Sequence, residues 1–213
     1  FLEQLGRPFL HKPFSLAVLR THESKNAPGA LIASLAIPWG FSQGDNDQGG
    51  YHLVWGRDMV ETAGGLLAAG MHEDVRRVLA FLQKTQQADG HWSQNMWLDG
   101  SPYWDGIQMD ETALPILLVD LARREKAFNK GDVLQYWPMV KRAAGYLARS
   151  GPVSPQDRWE EDPGYTPFTV AAEIAALLAA AELADLNHES SIATYLREIA
   201  DVWNTSIERW MYM

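Results

Sequence analysis

The chain has 213 residues, 46% of them hydrophobic, which is enough for one domain with a sizeable core. Its formal net charge of −9 argues against nucleic acid or an anionic membrane as the main partner, because both attract basic surfaces. With no cysteine, disulfides and thiolate chemistry are excluded, and the cellular compartment stays undetermined. Nine tryptophans, several in segments rich in glycine or proline, favour an aromatic binding face.

Helical periodicity recurs along the chain and predicts about seven helices, with no strand pattern longer than a few residues. The predicted helices cover residues 12–22, 58–71, 73–87, 110–126, 133–149, 168–186 and 190–210. No apolar run reaches the length of a membrane span, since Glu173 and Glu182 interrupt the nearest one, 171–184. The helix over 168–186 is apolar nearly all round, and we expect it to be buried.

Short links join some helices into pairs, and long aromatic loops lie between the pairs. The loops cover 40–50 and 88–109, and a third loop follows residue 150. Repeated antiparallel helix pairs predict an all-α fold, an α/α toroid whose loops at one end build the site. A closed ring of six pairs needs more helices than this chain supplies.

The third loop concentrates acids around a tryptophan, in the stretch from Asp157 to Asp162. Prolines on both sides break the helix, which predicts a loop between two helices. Carboxylates crowded beside an indole can keep one carboxyl protonated, and a glycosidase needs such a group to protonate its leaving sugar oxygen. The alternative interpretation is a solvated acidic turn with a packed Trp159.

Three segments carry a more specific pattern when they are taken together. They are Tyr51-His-Leu-Val-Trp-Gly-Arg-Asp58, Trp104-Asp-Gly-Ile-Gln-Met-Asp110 and Trp159-Glu-Glu161. In this order and spacing they resemble glycoside hydrolase family 15, the glucoamylases and glucodextranases, and Leu19–Lys25 with Ile37–Gly40 resembles its bacterial branch. The resemblance covers nearly the whole chain. It implies an (α/α)6 toroid that hydrolyses α-glucosidic bonds at chain ends with inversion.

The same resemblance implies roles for individual residues. Glu160 would be the general acid, and Glu161 would bind a hydroxyl in the leaving-group subsite. Arg57 and Asp58 would hold hydroxyls of the terminal glucose, because an Arg–Asp pair offers donors and acceptors at fixed positions. The remaining residues are substrate-binding aromatics and supporting acids: Tyr51, Trp55, Trp104 and Trp159, and Asp110 and Asp157. A helix-cap ion pair is the alternative for Arg57 and Asp58, and dipole complementation suffices for Asp110 and Glu111.

The family's general base lies late in the barrel, and no segment of this chain resembles it. We therefore expect residues 1–213 to be the N-terminal part of a catalytic domain, about the first half of its helices, completed by a C-terminal half. Since the chain begins with Phe1, we also expect an upstream piece. The predicted substrate is an α-glucan, and neither nucleic acid nor membrane is a predicted partner. A catalytically inactive carbohydrate-binding toroid is the alternative.

Two further segments resemble other motifs. Asp45–Gly50 resembles a calcium loop, but Gly56 stands where that motif needs a bidentate glutamate, so a structural calcium ion is only weakly indicated. No other cofactor is predicted, because the histidines lack metal-ligand spacing. Gln86–Trp92 resembles the repeats of terpene cyclases, which are also α/α toroids; we interpret it as a loop that fixes Trp92, and a cyclase-like toroid remains an alternative.

Overall fold

The computed structural model describes residues 12–35 and 50–212, and this part of the chain is largely helical. Its helices are α1 (Lys12–Thr21), α2 (Gly56–Ala68), α3 (His72–Thr85), α4 (Met109–Arg124), α5 (Lys130–Ser150), α6 (Pro167–Leu186) and α7 (Ser190–Met211). All seven predicted helices are therefore confirmed, with ends that differ from the prediction by a few residues. The segment Ile37–Gly40 and residues 45–49 lie outside the described residues.

Helix starts differ from the prediction where a cap sets them. Helix α5 begins three residues before the predicted Val133, because Asn129 and Asp132 form a capping box. The side-chain Oδ1 of Asn129 accepts hydrogen bonds from the main-chain N–H groups of Gly131 and Asp132, at 2.7 and 3.2 Å. Helix α2 begins at Gly56, so Asp58 is an acid of its first turn.

The helices form two layers. Helices α2, α4 and α6 lie side by side, with α4 packed against both of the others, and α3, α5 and α7 lie behind them. The core fills the space between the layers with fully buried side chains such as Met59, Leu79, Ile116, Val140 and Leu177. This alternation is the arrangement of an α/α toroid, present here over part of the ring, as the sequence predicted.

A small antiparallel sheet joins the second aromatic loop to the start of α2. Its strands are β1 (Val54–Trp55), β2 (Asn95–Met96) and β3 (Pro102–Trp104), in the order β1-β2-β3. Strands of two or three residues are too short to show an alternating pattern, which is why the sequence did not predict them. Through this sheet, the loop brings Trp104 close to Trp55.

The segment Gln86–Trp92 holds Trp92 in place, as predicted, and it also ties α3 to α5. Arg142 of α5 donates a hydrogen bond to the Gln86 side-chain oxygen at 2.6 Å. Gly90 has a φ of +115°, and a Cβ there would lie 2.2 Å from the Arg142 carbonyl oxygen. The Trp92 indole is buried and donates to a main-chain carbonyl of α3 at 3.0 Å.

A second tie of the same design lies one hairpin earlier. Arg77 of α3 donates to both carboxylate oxygens of Glu23 at 2.7 Å, and Glu23 also accepts from the Gly29 N–H at 2.9 Å. Gly29 has a φ of +85°, and a Cβ there would lie 2.0 Å from the Arg77 carbonyl oxygen. In both ties, a glycine in the loop before the hairpin packs against the main-chain carbonyl of an arginine in the second helix. A polar side chain of the same loop accepts hydrogen bonds from the side chain of that arginine.

Helix α6 corrects two expectations. It is long and apolar enough, by length and composition only, to cross a membrane, although Glu173 and Glu182 were expected to rule this out. Of the 18-residue apolar stretch of this helix, 61% is buried inside the fold, as in the core helix of a folded domain.

The burial of α6 is nevertheless incomplete, because Leu178 is 42% exposed and Leu121 of α4 is 41% exposed beside it. We call this apolar surface the α4–α6 groove; it is lined by Leu117, Asp120, Leu121, Arg124, Ala175, Leu178 and Ala179.

Candidate active site

Arg57 lies in the first turn of α2, and its guanidinium is held by the start of α4. Its Nε donates to Asp110 Oδ2 at 2.8 Å, and its Nη2 donates to the side-chain oxygen of Gln108. Asp110 is fully buried and the Arg57 side chain is only 12% exposed, so the orientation of the guanidinium is fixed. Burial acts to lower the pKa of Arg57, but the charge and hydrogen bond of Asp110 outweigh it and raise that pKa.

Asp58 follows Arg57 but lies on the exposed side of the turn. Arg57 forms its ion pair with Asp110 instead of Asp58, so the ion pair of the helix-cap alternative is not formed, although Asp58 is an acid of the first turn of α2. Partial desolvation of the Asp58 carboxyl raises its pKa, against the lowering effect of the neighbouring guanidinium. The two groups therefore differ in freedom: the guanidinium is anchored, and the carboxylate is available at the surface.

Two buried glutamates near this ion pair were not predicted as site residues. Oε1 of Glu111 accepts a hydrogen bond from the Arg57 main-chain N–H at 3.4 Å, and burial raises the pKa of Glu111 well above its usual value. Glu173 of α6 is fully buried, and burial, with a further contribution from the Asp110 charge, raises its pKa to about 8. Neither carboxylate oxygen of Glu173 has a hydrogen-bond partner among the described residues. The sequence signal for Glu173 was an acid in the first half of an apolar helix, with only apolar residues and alanines around it.

An aromatic wall stands beside the ion pair and consists of Tyr51, Trp55, Trp104 and Tyr103. Ring centroids along it are 6.0, 5.9 and 5.5 Å apart, and the Trp55 and Trp104 rings meet edge to face. Trp55 is the buried centre of the wall, and its indole N–H donates to the Gly50 carbonyl at 2.9 Å. Tyr51 is 49% exposed and presents ring surface to solvent. Direct contact of Trp55 with substrate stays a prediction.

The acidic stretch forms the predicted loop between α5 and α6, and Asp157 organises it. Oδ1 of Asp157 accepts from the main-chain N–H groups of Trp159 and Glu161, both at 3.0 Å. Glu160 donates its main-chain N–H to the Asp157 carbonyl at 3.0 Å and has a φ of +67°. Asp157 therefore supports the backbone conformation that presents the Glu160 side chain.

The side chains at the tip of this loop are exposed. Trp159 is 70% exposed, so the packed tryptophan of the alternative interpretation is not found, although the acids are exposed as that interpretation has it. The guanidinium of Arg158 lies over the Trp159 ring at 5.2 Å and over the Phe168 ring of α6 at 4.8 Å. These contacts connect the loop tip to the first turn of α6. Protonation of Glu160 stays a prediction.

Ser154 joins the base of this loop to α4. Ser154 and Gly164 exchange main-chain hydrogen bonds at 3.0 and 2.9 Å and close the loop between them. The hydroxyl of Ser154, which is fully buried, accepts from the Met109 main-chain N–H at 3.2 Å. The start of α4 thus holds Arg57 on one side and the base of the acidic loop on the other.

Metal binding finds no support beyond the weak sequence signal. Residues 45–49 of the candidate calcium segment lie outside the described residues. Within 12–35 and 50–212, no group of three or more His, Asp or Glu side chains is arranged to hold a metal ion. A structural calcium ion stays a prediction that concerns that segment alone.

Comparisons with known proteins identify relatives over most of the chain. The family model described as glycosyl hydrolases family 15 matches residues 15–94 and 87–212. A glucoamylase from Clostridium sp. (strain G0005) is 42% identical over 198 residues, which are 93% of this chain and 27% of that protein. An uncharacterized glycosyl hydrolase of Methanocaldococcus jannaschii is 31% identical over 74% of this chain and 25% of that protein. The chain therefore spans about a quarter of the length of both relatives.

Solved structures agree with these sequence relatives. A bacterial glucoamylase complexed with acarbose matches with a TM-score of 0.81 and 42% identity, over 91% of this chain and 28% of that one. A glucoamylase from Saccharomycopsis fibuligera matches with a TM-score of 0.72 over 92% of this chain and 47% of that one. At 20% identity, this second match shows the fold alone.

Proposed function

Because this chain belongs to glycosyl hydrolases family 15, we propose that it is part of an enzyme that releases glucose from the non-reducing ends of α-glucans. The observation that carries this proposal is the double role of the start of α4. It anchors Arg57 through Asp110, and it ties the acidic loop through Ser154. An anchored sugar-binding cation and a loop of exposed carboxylates thereby share one end of the helical layers.

In the proposed reaction, Glu160 is the general acid. It gives its proton to the glycosidic oxygen while the bond from that oxygen to the anomeric carbon breaks. A water molecule attacks the opposite face of the sugar and loses its proton to a general base, so the anomeric configuration is inverted. The surrounding carboxylates favour the positive charge that develops on the sugar ring.

The remaining residues hold the substrate in the proposed complex. Arg57 and Asp58 bind hydroxyls of the terminal glucose, one as a fixed donor and the other as an acceptor. Tyr51 and Trp104 offer ring surface to the sugar, and Glu161 binds a hydroxyl of the leaving group. The bacterial glucoamylase complexed with acarbose, which is 42% identical to this chain, supports this assignment.

The general base is supplied, in this proposal, by a further part of the same barrel. The chain spans 27% of the Clostridium glucoamylase, so most of that relative has no counterpart here. The α4–α6 groove is an exposed, largely apolar surface on the layer formed by α2, α4 and α6, and further helices of an (α/α)6 barrel would cover it. We infer that a C-terminal part of the barrel packs on this groove and completes the site.

The test is Glu160→Gln in the full-length protein, with maltooligosaccharides as substrate. We expect glucose release to fall at least about a hundredfold while substrate binding persists, because the variant cannot donate a proton but keeps its shape. Asp162→Asn is the matched control, since it removes another exposed carboxylate of the same loop and should stay near the parent activity. Retained activity in Glu160→Gln would remove Glu160 from the acid role.

The same assay separates the alternatives. Isomaltooligosaccharides and trehalose test the linkage preference, and the anomer first released, followed by NMR, tests inversion. Binding of acarbose without any turnover by the parent protein would identify a carbohydrate-binding toroid instead of an enzyme. The family match leaves the terpene-cyclase alternative without support, and its motif serves here as the tie between α3 and α5.

A further inference from the structure

The N-terminus of α2 carries the sugar-binding pair but has no cap of its own. The first N–H groups of any helix lack partners within the helix and need outside acceptors. The N-cap residue of α2 is Trp55, whose side chain forms no capping hydrogen bond. An indole has no acceptor to offer, so the N-cap residue itself cannot accept from the first N–H groups of α2.

Glu111 of α4 reaches this N-terminus from the neighbouring helix. Its Oε1 accepts from the Arg57 main-chain N–H at 3.4 Å and lies 4.0 Å from the Arg57 guanidinium. Glu111 also packs directly against the first residue of α2, because a Cβ on Gly56 would lie at contact distance, 3.4 Å from the Glu111 Cβ and 3.7 Å from its Oε2. Glu111 is fully buried, so its carboxyl is confined to this position.

The charges around Glu111 favour an uncharged carboxyl. It faces Arg57 and Asp58 of α2, and it lies next to Asp110 on its own helix. Asp110 already neutralises the Arg57 guanidinium at 2.8 Å, so a second fully buried carboxylate would lack a countercharge. Burial raises the pKa of Glu111; the positive charge of Arg57 opposes this rise, and the negative charge of Asp110 adds to it. This direction agrees with the lack of a second countercharge.

We propose that Glu111 is a positioning residue whose carboxyl oxygen takes the place of the missing N-cap of α2 and holds Arg57 by its main chain. Asp110 and Gln108 hold the same residue by its guanidinium, so Arg57 is fixed at both ends. The inference rests on the proposed function, because the position of Arg57 matters for catalysis only if Arg57 and Asp58 bind the terminal sugar.

The experiment compares Glu111→Gln with Glu111→Asp in the full-length protein. Glutamine keeps the reach of the acceptor and removes the ionisable group, whereas aspartate keeps that group and withdraws the acceptor by one methylene. We expect kcat/KM on maltooligosaccharides to stay within about threefold of the parent in Glu111→Gln. We expect it to fall about tenfold or more in Glu111→Asp, because small displacements of substrate-positioning groups are costly.

Hydrogen exchange of the Arg57 amide gives a readout that does not depend on activity. Exchange should be faster in Glu111→Asp than in the parent and nearly unchanged in Glu111→Gln. The matched control is Ile116→Val, which removes one methylene from a fully buried core side chain of the same helix α4. This variant should lose stability and keep its kcat/KM, which separates positioning from a general loosening of α4.

Three outcomes would overturn the inference: parent-like kcat/KM in Glu111→Asp, a loss in Glu111→Gln as large as that in Glu111→Asp, or unchanged amide exchange in both variants. A parent protein that releases no glucose would instead reject the proposed function. The amide exchange of Arg57 would still decide whether Glu111 caps α2.

Discussion

Glu173 makes the stability of this fold depend on pH in a predictable direction. Its carboxyl is fully buried in α6, and its pKa is about 8 in the folded protein against an ordinary value of 4.5. Between these values the folded protein keeps a proton that the unfolded chain has lost. Unfolding therefore releases a proton, and the free energy of unfolding falls as pH rises through this window and levels off above about pH 8.

The perturbation is Glu173→Gln, which removes the proton without changing the size of the side chain much. One pKa unit corresponds to about 1.4 kcal/mol, so the contribution of Glu173 changes by about 4 kcal/mol between pH 5 and pH 8.5. Glutamine has no proton to lose, so we expect the variant to gain about that much on the parent over this range. Hydrogen bonds of the glutamine amide add a constant to the free energy of unfolding of the variant. This constant does not change how the gap between the two proteins varies with pH.

The assay is equilibrium unfolding in urea, followed by tryptophan fluorescence at several pH values from 5 to 8.5. Other titrating groups, including Glu111, contribute equally to parent and variant and cancel in the difference between them. Glu182→Gln is the matched control, because its side chain is 48% exposed on the same helix and pairs with Arg123 at 2.7 Å. Parallel curves for the parent and Glu173→Gln would refute the reasoning.

Two other substitutions test the fold and the site. Gly90→Ala should lower the free energy of unfolding in urea by about 2 kcal/mol or more, because φ is +115° and the new Cβ would collide with the Arg142 carbonyl. Gly64→Ala is the control: no atom lies within 4 Å of the new Cβ, so the same assay should find it neutral or stabilising. Asp58→Asn should lower kcat/KM by weakening transition-state binding, measured as initial rates of glucose release; unchanged efficiency would contradict contact with the terminal sugar.

The helices were predictable because their apolar periodicity is strong, but their ends were not. The start of α5 depends on Asn129 and Asp132, a capping pair that precedes Val133, the apolar residue at which the periodicity placed the start of the helix. The strands were not predictable, because two or three residues of pairing leave no pattern in composition. They form only because the loop before α4 folds back onto β1.

The candidate site was predictable through its motifs, and less so through its contacts. Arg57 and Asp110 stand far apart in sequence, and only packing of α2 against α4 makes them partners. Local reasoning therefore paired Arg57 with Asp58, its neighbour in the chain. For the same reason Glu111 was interpreted as an acid that complements the dipole of its own helix, α4. Its carboxyl instead accepts a hydrogen bond from the Arg57 main-chain N–H of α2.

The two glycine ties repeat one arrangement of residues in successive hairpins. Glu23, Gly29 and Arg77 in one hairpin correspond in their contacts to Gln86, Gly90 and Arg142 in the next. Such a triplet is what a duplicated hairpin would preserve, because a side chain on either glycine would collide with main chain. The triplet therefore provides three equivalent points for superimposing these two hairpins, whose sequences show no identity that can be aligned.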